Sequence, residues 1–234
     1  LTRRDLPELL DQESLDPAEL AGNLGDLARL NRLTGTTDAA LRLLDRVMGT
    51  RVMGTRALGT RSPVCVLDVG SGAGDLPRAI CAHRPAQVIA LDVRADVLRF
   101  ATRYPIPVSR VDWLQGSGLA LPIADGAVDV AICVQTAHHL DPEALGGLIR
   151  EMARVSRRGC IMIDLDRAWL APTAIGVLTM LLSRNRMTRH DGPLSARRAY
   201  TAAEFAAIAA AQGCPVTIRP IWPFRWGATF RRSG

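Results

Sequence analysis

The 234-residue chain is 48% hydrophobic and 22% charged, a balance that excludes a disordered tail, a collagen-like or coiled-coil fibre, and a core that needs disulfide or metal staples. Its 29 basic residues, every one an arginine, exceed the 23 acidic ones by 6; without a run of five or six basic side chains, that excess permits a nucleic-acid surface but does not specify one, and a GC-rich coding bias accounts for the absence of lysine. No apolar run reaches the ~18 residues of a membrane-spanning helix.

Residues 1–61 read as a helical lid and linker. Asp16-Pro17-Ala18-Glu19 is a helix start, with Asp as cap, Pro at the first position and Glu three after the cap. Leu20, Leu24, Leu27 and Leu30 then share one helical face. A second helix is expected over Asp38–Met48, with Leu41, Leu44 and Val47 inward. Arg46-Val47-Met48-Gly49-Thr50 recurs from Arg51 and, degenerately, from Arg56. A five-residue period fits neither helix nor strand, so 49–62 reads as a linker.

From residue 62 to 234 short apolar runs alternate with helical stretches. Strands are expected at Val64–Val69, Val88–Leu91, Val111–Gln115, Val128–Val134, Gly159–Asp164, Val216–Arg219 and Arg225–Phe230. Continuous apolar strands between helices imply an α/β fold with a mostly parallel sheet covered on both faces, binding ligands at the carboxyl ends of its strands. Cys65, Cys81, Cys133, Cys160 and Cys214 are widely spaced without a CxxC pair. They read as small core residues of a protein in a reducing compartment. The N-terminal residues show no signal-peptide pattern, so a cytoplasmic location is expected.

The first strand runs into Gly70-Ser71-Gly72-Ala73-Gly74 and then a helix. A dinucleotide fingerprint needs glycine at 75, where Asp75 would repel a pyrophosphate, and no Walker lysine is present. Asp92 ends the second strand, about 18 residues past the loop, where an acid can chelate ribose hydroxyls. Loop and acid together indicate a nucleoside ligand without phosphate.

Asp68-x-Gly70-x-Gly72-x-Gly74, Asp92, Leu121-Pro122 with Asp125-Gly126-Ala127-Val128-Asp129-Val130, and His138-His139-Leu140 together resemble the class I S-adenosylmethionine-dependent methyltransferases over residues 62–165. The resemblance implies a Rossmann-like seven-stranded sheet of order 3-2-1-4-5-7-6 with strand seven antiparallel. It also implies S-adenosylmethionine as cofactor, with S-adenosylhomocysteine as product. Asp92 would hold the ribose, Gly70 and Gly72 would approach the methionine part, and Asp68 would lie beneath the loop. Ser71, Gly74, Val93, Gly116, Ser117 and Gln135 complete the implied cofactor set. Where the family usually carries an aspartate for adenine, this chain has Ser117, with Asp112 as the nearest acid in mid-strand.

No Asn/Asp-Pro-Pro-aromatic motif follows strand four, which argues against amino-methylation of adenine or glutamine. Asp164 and Asp166 suggest a metal of the catechol-methyltransferase kind, but a third acid is missing where Gln135 stands, so no metal is expected. Residues 168–200 read as an insertion capping the substrate: a long apolar helix over Ala168–Arg186, buried by default, then a polar loop from Met187 to Tyr200. The loop ends in the capping box Thr201-Ala202-Ala203-Glu204. His190 beside Asp191 is the first candidate base and His139 the second. His138, Arg167, Trp169, Arg197 and Arg198 are candidate substrate contacts.

Asp164-Leu165-Asp166-Arg167, this insertion and the helical N-terminus also resemble bacterial small-molecule methyltransferases encoded beside type III polyketide synthases. That resemblance implies methylation of a phenolic, quinol or polyketide-type acceptor, most often at oxygen, though related enzymes alkylate carbon; a homodimer is allowed. An RNA or DNA methyltransferase, and a cofactor-binding protein that no longer methylates, are the competing readings; nucleic acid is disfavoured.

Overall fold

The computed structural model describes residues 2–4, 6–12, 14–49, 63–103 and 110–232. The repeats beyond Gly49 and the linker reading fall outside them. Seven strands, β1 (Val64–Val69), β2 (Ala86–Asp92), β3 (Val111–Gln115), β4 (Val128–Val134), β5 (Ser156–Leu165), β6 (Val216–Ile221) and β7 (Arg225–Phe230), form one sheet of order β3-β2-β1-β4-β5-β7-β6. All pairs are parallel except those of β7, which runs antiparallel to both β5 and β6. This is the Rossmann-like order expected. β2, β5 and β6 run further than expected because residues such as Gln87, Ser156 and Pro220 still pair at their ends.

Eight helices accompany the sheet among the described residues: α1 (Pro17–Leu33), α2 (Thr36–Met48), α3 (Asp75–His83), α4 (Ala95–Ala101), α5 (Pro142–Val155), α6 (Ala171–Leu182), α7 (Arg186–Arg198) and α8 (Ala202–Ala211). No helix among those residues is long and apolar enough to cross a membrane. Alternate side chains on a strand face opposite sides. Val66, Val130, Ile132, Ile161 and Ile163 therefore pack under α2 and α3, whereas Leu67, Val69, Ala131, Cys133 and Met162 pack under α5 and α8. All five cysteines are free, and three are buried.

Two features depart from the sequence reading. α2 buries Ala39, Ala40, Leu43 and Leu44 in the same core as the sheet, so a boundary at 61/62 cuts through one packing unit. α1 instead lies over the ligand end, with Leu20 and Leu24 packed on Ala73, Val97 and Phe100. In the 168–200 region, the expected single helix stops at Leu182, and the expected polar loop is α7. Asn185 caps α7 by accepting from Thr188 N at 3.1 Å. The Gly192-Pro193 pair that suggested a turn serves close packing. A Cβ at 192 would stand 2.8 Å from Thr179 Cγ2, so glycine lets α7 press against α6. Nor is α6 buried all round. One face meets α7, while Val177, Met180 and Leu181 are exposed.

The capping box of α8 forms as expected: Glu204 N donates to Thr201 Oγ1 at 3.2 Å, and Thr201 N donates to Glu204 Oε2 at 2.9 Å. Thr201→Ala should cost about 1 kcal/mol and lower Tm by roughly 2–4 °C in a chain of this size, read by thermal unfolding.

Candidate active site

At the carboxyl end of β1 the chain must turn sharply toward α3. Gly70, Gly72 and Gly74 all take left-handed φ there, a region that side chains disfavour. Gly70 is also sterically required, since its Cβ would stand 2.4 Å from Thr136 Oγ1. Gly70 N and Ser71 N donate to Leu91 O at 2.8 and 3.0 Å, pinning the loop to the end of β2. Asp92 completes the clamp: Oδ2 accepts from Gly72 N and Oδ1 from Arg94 N, each at 3.0 Å. Burial raises the Asp92 carboxyl above its ordinary range. Burial, and then the charges of Asp75 and Asp92, raise Asp68 well above it.

A cavity of about 730 Å³ opens from this loop, within the range of small-molecule sites, roughly 300–1,000 Å³. Asp68, Gly70, Ser71, Gly72, Asp92, Val93, Gly116, Ser117 and Gln135 all line it. Gly74 does not line it; it serves as the cap of α3. Asp112 is exposed and accepts from Gln87 Nε2 at 2.7 Å, so Ser117 is the residue on the wall. Ser71 Oγ and Gln135 Nε2 are buried without a hydrogen-bond partner, although buried polar atoms are normally satisfied. Gln135 also holds φ +53°, a conformation costing a residue with a side chain roughly 1–2 kcal/mol. Orphaned donors on a glycine-lined wall, beside an acid at a strand end, suit a nucleoside with polar substituents.

The opposite end of the cavity is polar for a different reason. The short turn Ala137–His139 after β4 presents two histidines, and the N-terminal segment brings Glu8 and Asp11 to them. His138 Nδ1 meets Asp164 Oδ1 at 2.7 Å, and His139 Nδ1 meets Asp11 Oδ1 at 2.8 Å. Their Nε2 atoms lie 3.8 and 3.9 Å from the two carboxylate oxygens of Glu8. Ser195 Oγ donates to Glu8 Oε1 at 2.9 Å. Glu8 is only 3% exposed, and burial pushes its carboxyl up to about 7 against the opposing pull of His139. Burial also raises Asp11, but hydrogen bonds from His139 and Arg198 outweigh it and hold that carboxyl well below its usual range. At Asp164 the burial effect is likewise overcome by the charge and hydrogen bond of His138.

Not all the candidates from sequence converge here. His190 is half-exposed and off the cavity wall; its Nδ1 meets Asp191 Oδ1 at 2.8 Å. Asp191 does line the cavity, yet both its oxygens accept from backbone, Leu9 N at 2.8 Å and Leu10 N at 3.0 Å. It thereby straps the N-terminal segment in place. Arg167 is buried against Glu204 and Ala199 O at 2.5 and 2.6 Å. Trp169 is 77% exposed and Arg197 is exposed; neither lines the cavity. Arg198 is buried, donating to Asp11 and lying 3.6 Å from Glu8. His190→Ala should therefore change turnover by less than about threefold, the range of an exposed substitution, as read in a steady-state assay.

Glu8 and Asp11 escaped the sequence reading. They stand nearly 130 residues from the histidines, and two acids flanking a Leu-Leu pair are too common a pattern to single out.

Residues 66–159 match the family described as a methyltransferase domain. An uncharacterized methyltransferase of Mycobacteroides abscessus is 36% identical over 110 residues, covering 46% of this chain and 41% of that protein. An uncharacterized methyltransferase-like protein of Schizosaccharomyces pombe is 32% identical over 100 residues, 41% of this chain and 37% of its own. The chain thus spans less than half the length of these curated relatives. Among solved structures, a SAM-dependent methyltransferase from Aquifex aeolicus superposes with TM-score 0.62 at 19% identity, over 93% of this chain and 98% of that one. Human N-acetylserotonin methyltransferase in complex with SAM gives TM-score 0.65 at 16% identity, over 94% and 57%. Magnesium protoporphyrin IX methyltransferase from Synechocystis, with bound SAH, gives 0.56 at 16%, over 95% and 90%. With the sheet order and the loop after β1, these likenesses show that residues 66–159 match a methyltransferase domain and that the chain has the fold of S-adenosylmethionine-dependent methyltransferases.

Proposed function

We propose that the chain transfers a methyl group from S-adenosylmethionine to an oxygen of a small phenolic, quinol or polyketide-type acceptor. The observation that carries this reading is the single cavity joining the glycine loop and Asp92 to the histidine pair. When bound, S-adenosylmethionine supplies a methyl group already activated by its sulfonium charge. Asp92 has two lone pairs left beyond its two backbone contacts for the ribose diol. Ser71 Oγ and Gln135 Nε2 gain partners on the same ligand.

What remains for the protein is to align the acceptor and take its proton, since a phenol has a free pKa of about 10. His139 is suited to that. Its Nδ1 is held by Asp11 at 2.8 Å, which orients the ring and leaves Nε2 facing the cavity end. His138 is held in the same way by Asp164. Leu10, Leu140, Ile175, Leu178 and Phe224 form an apolar wall for a flat ring. A hydroxylated product of a type III polyketide synthase has that shape and polarity. The arginine excess does not favour nucleic acid: Arg94, Arg154, Arg167 and Arg198 each donate to groups within the chain.

The test is calorimetric titration with S-adenosylhomocysteine, followed by incubation with S-adenosylmethionine and a panel of phenols, quinols and polyketide-derived rings, scored by mass spectrometry. Saturable binding and one O-methylated product class are expected. Saturable binding with no methylated product from the panel would overturn the acceptor assignment; no binding at all would overturn the enzyme reading.

A further inference from the structure

We propose that Glu8, His138 and His139 form a binding site for one divalent transition-metal ion at the acceptor end of the cavity. One ligand atom from each lies within 4.8 Å of the other two, and this is the one such group of His, Cys, Asp or Glu side chains among the described residues. The metal considered from sequence involved Asp164 and Asp166. The structure instead uses Asp164 to hold His138 and leaves Asp166 half-exposed beside Arg167.

Three observations support the site. The first is distance. The Nε2 atoms stand 3.8 and 3.9 Å from the Glu8 oxygens, too far for hydrogen bonds. An ion about 2.0–2.2 Å from each ligand in a tetrahedral arrangement sets neighbouring ligand atoms roughly 3.3–3.6 Å apart. The three ligand atoms lie within 4.8 Å of one another, so closure by no more than about 1.5 Å brings them to that spacing.

The second is the support behind the ligands. Each imidazole has its other nitrogen on a carboxylate, Asp164 at 2.7 Å and Asp11 at 2.8 Å. In a neutral imidazole that pairing favours the proton on Nδ1 and leaves Nε2 as a lone-pair donor, the arrangement that commonly orients metal-bound histidines. Glu8 is in turn held by Ser195. Two carboxylate-backed imidazoles whose free nitrogens face one buried carboxylate are a preorganised donor set.

The third is donor chemistry. Two imidazoles and a carboxylate suit zinc, iron(II) or cobalt(II) better than magnesium or calcium, which prefer oxygen alone. Three protein ligands leave a position open, and all three line the cavity. On the proposed methyl-transfer reading, that position takes the acceptor's oxygen as its anion, the hydroxyl proton passing to solvent. The ion would then orient the acceptor in place of a proton held on His139. The metal site itself does not depend on methyl transfer.

The test uses the full chain, stripped with a chelator, dialysed and titrated with cobalt(II) by calorimetry and visible absorption. One equivalent should bind. Glu8→Gln and His139→Ala should each weaken binding by about 100-fold, and Asp11→Asn by about 10–100-fold, as for other supporting carboxylates. S-adenosylhomocysteine binding, measured on the same samples, reports that each variant is folded. The proposal is overturned if the wild-type chain binds S-adenosylhomocysteine but takes up no cobalt. It is also overturned if Glu8→Gln and His139→Ala bind cobalt as tightly as wild type. Cobalt binding without S-adenosylhomocysteine binding would leave the metal site standing and remove the methyl-transfer reading instead.

Discussion

In the metal-free protein His139→Ala should lower kcat by about 10²–10⁴, the usual contribution of a positioned proton-accepting group, while the dissociation constant for S-adenosylhomocysteine changes by less than about threefold. The separation follows from the layout of the cavity. The glycine loop and Asp92 line the cavity at the carboxyl ends of β1 and β2, where the proposed reading places the cofactor, and the histidine pair lines its far end beyond β4, where that reading places the acceptor. Removing the imbalance between acceptor pKa and solvent pH is work for the second end alone. Asp11→Asn provides the graded companion. It keeps the size of the side chain facing His139 Nδ1 but weakens the charge that orients the ring, so its loss should be smaller than that of His139→Ala. Single-turnover methylation with saturating acceptor reads both. An unchanged kcat in His139→Ala would remove the imidazole from the reaction.

Asp92→Asn should raise the dissociation constant for S-adenosylhomocysteine by about 100-fold or more. The carboxylate accepts from Gly72 N and Arg94 N, and on the proposed reading its remaining lone pairs serve the ribose. Hydrogen bonds to a charged group are worth roughly 1.5–3 kcal/mol each, so losing two amounts to two decades or more in affinity. The amide also turns one acceptor into a donor that faces another donor, Gly72 N or Arg94 N according to its rotamer, which loosens the loop itself. Calorimetry gives the affinity directly. The protein should remain folded, because Asp92 lies at a strand end outside the packed clusters under α2 and α5. Equal affinity in the variant would mean that Asp92 does not bear on the ligand.

The two ends of the cavity differed in how far the sequence disclosed them. The loop at 70–74 and Asp92 were legible because both ligand-facing elements are local. A turn that needs left-handed backbone must use glycine, and an acid at a strand terminus follows from strand length. The insertion was less legible. A helix with an internal Gly-Pro pair reads as a turn unless one knows that α6 lies against Gly192. His190 was attractive because its neighbour in sequence is an acid. In the fold, Asp191 spends both oxygens on Leu9 N and Leu10 N, and the exposed ring stays outside the cavity.

Periodicity and turn chemistry thus determined the strands, the glycine loop and its acid, because each depends on side chains within a few residues of one another, whereas the sheet order came only from the family resemblance. Only the tertiary structure decided the composition of the acceptor end. Glu8 and Asp11 reach His138 and His139 because α1 carries the N-terminal segment over the strand ends and Asp191 and Arg198 hold it there. Contacts of that kind are set by the packing of distant elements, and a buried acid such as Glu8 can be tolerated only where the partners that offset its desolvation arrive from elsewhere in the chain.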